Sequence, residues 1–260
     1  MYRLIDTHAH LSDLEDLEAA LQRALDAGVY AIVAVSANME TSVKTLRIAE
    51  EHPGYVYPAL GLHPTEIGAD YQDVLTFIEE KIKNCVAVGE VGLDFWRRKG
   101  EPGKTEDERQ RQIYVYTKQL EVARRHGKPA LIHGRGAWET VYSVAESVGV
   151  SKALFHWYTG PLGTLKALLD RGYLVSATPA VEYSKAHRAA IREAPLEQLV
   201  LETDCPVVYR GAPSEPVDVL RTLKAVAELK GIPEEEVAEK TTRNALDFFN
   251  LRGPPKGFYS

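Results

Sequence analysis

The sequence predicts an α/β fold of the (β/α)8 type, a TIM-like barrel formed by a single domain over residues 1–260. Three observations predict it. Eight short apolar runs alternate with longer amphipathic stretches, as a parallel sheet with crossover helices requires. The chain is 260 residues long, close to the ~250 that one such barrel needs. No glycine-rich phosphate loop follows the first run, which sets aside the doubly wound open sheet.

The eight runs are Arg3–His8, Tyr30–Ser36, Val56–Leu62, Cys85–Glu90, Pro129–His133, Ala153–His156, Gly172–Ala177 and Leu199–Glu202. Each is dominated by Val, Ile, Leu, Ala or aromatic residues with few charges, as parallel strands buried on both faces must be. Between the first two, Leu14–Ala27 carries Leu14, Leu17, Leu21, Ala24 and Leu25 at helical spacing, and Gly28 sits where a C-terminal cap belongs. Thr105–His126 is the longest helical stretch; Thr105 and Glu108 make a capping-box pattern and Gly127 ends it. Leu162–Arg171 stops at Gly172. After the eighth run come a Pro/Gly-rich loop, Pro206–Pro216, a helix from about Val217 and a last helix near Thr242–Asn250.

With 45% hydrophobic and 26% charged residues the chain can bury a large core and is not disordered. Its net charge of −6 excludes a protein that grips nucleic acid with its whole surface, which would be basic. An anionic substrate must be held by a local basic rim or by metal ions. Cys85 and Cys205 lack CxxC spacing, which argues against a disulfide framework and a structural zinc knuckle. Both are expected to stay reduced, with Cys205 reachable by reagents. MYRLIDTHAHL has no apolar run with a small-residue cleavage site, and no stretch approaches the ~18–20 apolar residues of a membrane span. The expectation is a cytoplasmic protein with no membrane partner.

The polar residues locate the chemistry. Active sites of α/β barrels lie at the carboxyl ends of the strands, and here those ends carry metal-ligand side chains. His8 and His10 end the first run two residues apart, on one face of a strand. His63 lies just past the third run, Glu90 ends the fourth, His133 the fifth and His156 the sixth, and Asp204 follows the eighth. Each alone has an ordinary structural reading; together they converge on one mouth. His52 and His126, by contrast, sit at helix C-termini, where an imidazolium gains from the dipole. His187 has no evident place.

A His, Glu and Asp set without thiolate suits zinc, manganese, iron or cobalt, and carboxylate-rich sites also take magnesium. Six candidates, His63 being set apart, exceed the three protein ligands of one catalytic zinc. They fit two divalent ions (Zn, Mn or Mg) sharing one carboxylate.

The segments IDTHAHL at 5–11, ALGLHPTE at 59–66, VAVGEVGLDF at 86–95, PALIHGRG at 129–136, LFHWYTG at 154–160 and LETDCP at 201–206 resemble the TatD-related deoxyribonucleases of the metal-dependent hydrolase superfamily. Asn244-Ala245 with Phe248-Phe249 also fits. The resemblance implies a TIM-like barrel, divalent metals and phosphodiester hydrolysis on DNA, often exonucleolytic. It implies His8, His10, Glu90, His133, His156 and Asp204 as metal ligands with Glu90 bridging, and His63 pointing at substrate phosphate. Trp157-Tyr158-Thr159 and CPVVYRGAPSEP depart from the family's usual Cys-Phe-Ser and arginine-bearing loops, which puts substrate identity in question.

A phosphodiester of DNA or a short oligonucleotide is therefore the expected substrate. Asp204 would accept the proton of the attacking water, and Arg135 would be the cation on the phosphoryl oxygens. Trp157 and Tyr158, with Trp96 and Tyr209, lie where unstacked bases could rest. Arg97, Arg98, Lys99, Lys104 and Arg109 form a basic cluster that could steer a phosphate backbone. Asp6, two residues before His8, could orient a ligand imidazole or bond backbone at the barrel floor. Rival readings are a same-fold hydrolase of a C–N or carboxyl ester bond, including an aminoacyl-tRNA ester, and a non-catalytic metal- or nucleic-acid-binding protein.

Overall fold

A computed structural model of the protein describes residues 2–97, 99, 100 and 102–251. All eight apolar runs form strands: β1 (Leu4–Ala9), β2 (Val29–Val35), β3 (Val56–Leu60), β4 (Ala87–Gly92), β5 (Ala130–His133), β6 (Ala153–Phe155), β7 (Leu174–Ala177) and β8 (Leu199–Leu201). They pair in chain order, each parallel to the next. Helices α1 (Leu17–Asp26), α2 (Met39–Glu51), α3 (Tyr71–Lys81), α4 (Glu106–Arg125), α5 (Trp138–Val148), α6 (Leu162–Asp170) and α7 (Lys185–Glu193) fill the crossovers. Then come a small hairpin, β9 (Val208–Tyr209) with β10 (Ala212–Pro213), and helices α8 (Val219–Lys230) and α9 (Glu234–Phe249). Among the described residues no helix is long and apolar enough to cross a membrane.

The eight-stranded ladder becomes a barrel by a seam between β8 and β1. The bridge Ala9↔Cys205 closes it, flanked by Asp204 N donating to His8 O at 2.9 Å and His10 N to Cys205 O at 2.8 Å. Asp6 works at the same seam. Its Oδ1 accepts from Thr203 N (3.0 Å) and His8 N (3.3 Å), and its Oδ2 from the Thr203 hydroxyl (2.5 Å). Of the two roles open to Asp6, the backbone one holds, at the seam rather than the floor.

Strand alternation divides the apolar residues into two cores. Ile5, Val33, Val35, Ala59, Ala87, Leu131, Leu154 and Val200 pack together with Phe248 and Phe249 of α9. The larger core joins the other strand faces to the helices. Helix α9 begins well before the expected Thr242, because Pro233 and the acidic first turn Glu234–Glu236 supply an N-terminus that favours helix. It lies against the amino ends of the strands: Thr242 donates to Arg3 O, Asn244 to Leu199 O and Lys152 to Phe248 O. One end of the barrel is thus sealed by aromatic rings, and the polar chemistry is confined to the other. The Thr105–Glu108 capping box forms as expected, and α4 is the longest helix of the described chain.

Asp6→Ala strands three buried donors at the seam. Each unpaired buried donor costs on the order of 1–3 kcal/mol, so urea unfolding is expected to show a loss of at least that size. Val43→Ala, on an exposed position of α2, should stay within about 0.5 kcal/mol. Equal losses in the two variants would refute the seam as a stability determinant.

Candidate metal centre

The seven polar residues singled out at the strand ends meet at the open end of the barrel. Glu90, on β4, lies at their centre, almost fully buried, and its two carboxylate oxygens face different groups. Oε2 lies 3.4 Å from His8 Nε2 and 3.2 Å from His10 Nε2. Asp204 Oδ1 lies 3.5 Å from each of the same two nitrogens. Oε1 lies 2.8 Å from both His133 Nδ1 and His156 Nε2, which are themselves 3.3 Å apart. His63 Nε2 stands 3.5 Å from that same oxygen.

The donor set fits a cation. Neither ring nitrogen of buried His8 makes a hydrogen bond among the described residues, a deficit worth about 1–3 kcal/mol per atom unless something else binds there. The 3.2–3.5 Å spacings around His8, His10, Glu90 and Asp204 match the edge of about 3.3 Å expected when ligands sit ~2.0–2.1 Å from a tetrahedral centre. Among the described residues, three groups of ligand atoms are close enough to share a cation: His8, His10 and Asp204; His63, Glu90 and His133; and His8, His156 and Glu202.

Electrostatics agree. Burial alone would raise the Glu90 carboxyl, but the surrounding imidazoles hold it well below the usual range. Burial would lower His10, yet hydrogen bonds to Asp204 and Glu90 raise it to about 10. His133 and His156 are raised in the same way, against burial, by carboxylate partners. His63, where burial dominates, is lowered. A divalent cation would offset the negative charge of the carboxylates, and histidines that ligate it must be neutral.

Two carboxylates that the sequence reading left unassigned support the histidines from behind. Glu202, fully buried, places Oε1 3.3 Å from His156 Nδ1. Asp94 places Oδ2 3.3 Å from His133 Nε2 and also receives Arg135. Burial would raise Asp94, but hydrogen bonds from His133 and Arg135 bring it to about 2. Such partners fix the ring orientation of a ligand histidine. Glu202 was findable, since it ends the eighth apolar run, just past β8, as Glu90, His133 and His156 end theirs. Asp94 was not, because β4 ends at Gly92 and its register against β5 is already irregular between Val88 and Val91.

The centre opens into a cleft of about 930 Å³ lined by His10, His63, Trp96, Arg135, Trp157 and Asp204 among others. Tyr158 is not presented to it. That side chain is fully buried, packs 4.4 Å from the Trp138 ring and donates to Pro161 O. Tyr209 is likewise buried, with its hydroxyl on Thr203 O. Of the basic cluster, Arg97, Lys99, Lys104 and Arg109 do not line the cleft, and Arg98 lies outside the described residues. Cys205 is buried rather than reachable, and both cysteines are free. His52 and His126 cap α2 and α4 and pair with Glu18 and Glu79.

His187 proves structural. Its Nε2 accepts from Thr178 N (3.1 Å), and its Nδ1 lies 2.9 Å from Tyr158 O. Burial depresses it to about 4. The unfolded chain therefore binds a proton below about pH 6.5 that the folded chain refuses until about pH 4, so stability falls with falling pH across that window. The slope from this one group is at most ~1.4 kcal/mol per pH unit. Unfolding measured from pH 7 to 4 is expected to show His187→Gln with a shallower loss than wild type; parallel curves would remove His187 as a cause.

The TatD related DNase family model matches residues 5–250. The human deoxyribonuclease TATDN3 is 32% identical, with 95% of this chain and 94% of that protein covered. A Mycobacterium tuberculosis protein described as an uncharacterized metal-dependent hydrolase TatD is also 32% identical, covering 95% and 98%. Among solved structures, YJJV, a TatD homolog from Escherichia coli K12, superposes with a TM-score of 0.84 at 28% identity over 96% of this chain and 99% of that one.

Proposed function

Because this chain belongs to the TatD-related DNase family, we propose that it is a metal-dependent deoxyribonuclease whose single barrel domain, residues 1–260, hydrolyses phosphodiester bonds. The observation that carries the reading is the division of Glu90, whose two oxygens face two separate groups of donors. His8, His10, Asp204 and Glu90 would hold one divalent ion; His133, His156 and Glu90 the other, with Zn, Mn and Mg as the suitable metals. Bound there, the two ions would supply a water acidic enough to react near neutral pH and positive charge for the phosphoryl oxygens.

The chain's own residues do the rest. Asp204, at the edge of the buried site and on the cleft wall, accepts the proton of the attacking water. Glu90 holds both groups of histidines at one spacing. His63 receives Thr65 N at Nδ1 (3.2 Å), which leaves its proton on Nε2, the atom turned toward Glu90 and the cleft. It can donate to a substrate phosphoryl oxygen. Arg135 supplies a cation at the mouth and Trp157 part of the wall. The substrate is DNA or a short oligonucleotide, cut from an end. The two free cysteines support a reducing cytoplasm as the location.

Chelation is expected to abolish hydrolysis of bis-p-nitrophenyl phosphate, and Mn²⁺, Mg²⁺ or Zn²⁺ to restore it. Full activity in protein stripped of metal, or turnover of an aryl acetate in preference to the phosphodiester, would sink the reading. Asp204→Asn is nearly isosteric and should keep the thermal midpoint close to wild type. At saturating metal and substrate its kcat should fall about 10²–10⁴-fold, the usual worth of general-base assistance. Retention of more than about a tenth of kcat would withdraw that role from Asp204.

A further inference from the structure

Beside the metal centre, Trp96 and Arg135 form a unit that the mechanism above only partly uses. Trp96 follows β4 and Arg135 follows β5, and the Arg135 guanidinium stacks over the indole at 4.6 Å from the ring centroid. Both remain open: Trp96 is 47% exposed and the Arg135 side chain 53%. They lie on the boundary between the central cleft and a second cavity of about 680 Å³.

The unit is tied down by hydrogen bonds although it is exposed. Phe95 N donates to Arg135 O (3.0 Å), which carries the β4–β5 pairing beyond the strands. Gly136, at φ +73°, approaches so closely that a Cβ there would sit 2.9 Å from Trp96 N. Asp94 anchors both halves. Its Oδ1 accepts from Trp96 N (3.0 Å) and its Oδ2 from Arg135 Nε and Nη2 (3.0 and 2.8 Å). The same Oδ2 lies 3.3 Å from His133 Nε2, and His133 Nδ1 is 2.8 Å from Glu90. One buried carboxylate thus fixes the distance from this unit to the reacting centre. Arg135 is also the one Lys or Arg among the described residues lining the cleft.

A ligand that satisfies this surface needs a flat apolar face for the indole and an anionic group within reach of the guanidinium. A nucleotide carries both. We propose, resting on the phosphodiesterase reading above, that Trp96 and Arg135 form a nucleotide subsite. Trp96 stacks the base, and Arg135 binds the phosphate, of the residue adjoining the scissile bond. Asp94 acts as a positioning residue that sets this subsite relative to His133.

The test measures binding by calorimetry to metal-loaded protein. The two probes are a phosphorothioate-linked trithymidylate and the same molecule with its terminal base removed. Trp96→Ala is expected to weaken binding of the intact probe by about 5- to 150-fold, the usual worth of one stacked base. Trp96→Phe should recover most of the loss, and the abasic probe should bind wild type and Trp96→Ala alike. Arg135→Gln should weaken both probes. Unchanged affinity of Trp96→Ala for the intact probe, or equal weakening for both probes, overturns the subsite even if wild-type protein cleaves DNA normally. Wild-type protein that discriminates the probes in this way but cleaves no phosphodiester upholds the subsite and overturns the reaction assigned. Failure of wild-type protein to bind either probe overturns both.

Discussion

Between Leu201 and Cys205 the chain closes the barrel against β1, and the same five residues carry Asp204 to the metal centre. Asp204 donates its amide to His8 O, and His10 donates its amide to Cys205 O, so the backbone bonds that seal the seam also set Asp204 opposite the two histidines. Asp6 braces this segment through both the amide and the hydroxyl of Thr203. Asp6 is fully buried and its carboxyl is raised well above the ordinary range by that burial, so the brace is held against a desolvation cost. Fold closure and site assembly are one event here. A loosened seam would separate Asp204 from His8 and His10 before any ligand was itself altered.

Glu90 imposes the second constraint. A carboxylate taken out of water is unfavourable unless hydrogen bonds and opposite charge replace its solvent. Glu90 meets that demand with imidazoles from four other segments of the chain, His8 on β1 and His10 just after it, His63 after β3, His133 on β5 and His156 after β6. Because its charge is shared among so many partners, replacing Glu90 would change both donor groups at once, whereas replacing His10 would change one. Outer carboxylates repeat the pattern. Glu202 behind His156 and Asp94 behind His133 keep the ring faces fixed while their inner nitrogens meet Glu90.

The barrel was legible in the sequence because strands buried on both faces must be apolar throughout, and eight such runs at regular spacing leave few alternatives. The site was legible for a related reason. Histidines and carboxylates at the ends of apolar runs, His133 after ALI and His156 after ALF, are costly there unless they are used. What failed to read out depended on side-chain direction in loops. Tyr158 directly follows Trp157, yet it turns inward to Trp138 while Trp157 lines the cleft, and no periodicity governs that choice. Tyr209 is withdrawn by a hydrogen bond to Thr203 O that only the tertiary fold creates. The start of α9 was hidden because the apolar spacing near Thr242 is stronger than that near Glu234, although the acidic turn after Pro233 was a usable signal. His187 could not be assigned from sequence, since both its partners are backbone groups, Thr178 N and Tyr158 O, which leave no side-chain pattern to read.

Net charge and site charge must also be reconciled. A chain of net charge −6 repels a polyanion at long range, and the cluster after β4 does not compensate at the cleft, where Arg135 is the sole Lys or Arg among the described residues that line it. Arg135 itself is half committed to Asp94. On the reading proposed above, the attraction for phosphate would come chiefly from the bound ions, confined to a few ångströms around Glu90 and screened beyond about 10 Å at 0.1 M salt. A long strand tracked by many lysines would need a groove that this surface lacks among its described residues. A chain end presenting one or two phosphates to the centre, with a base on the flanking indole, asks only for what is there. The aromatic and the metal-binding parts of the mouth are then complementary: the ions would provide charge without sequence preference, and Trp96 and Arg135, both anchored on Asp94, would provide shape.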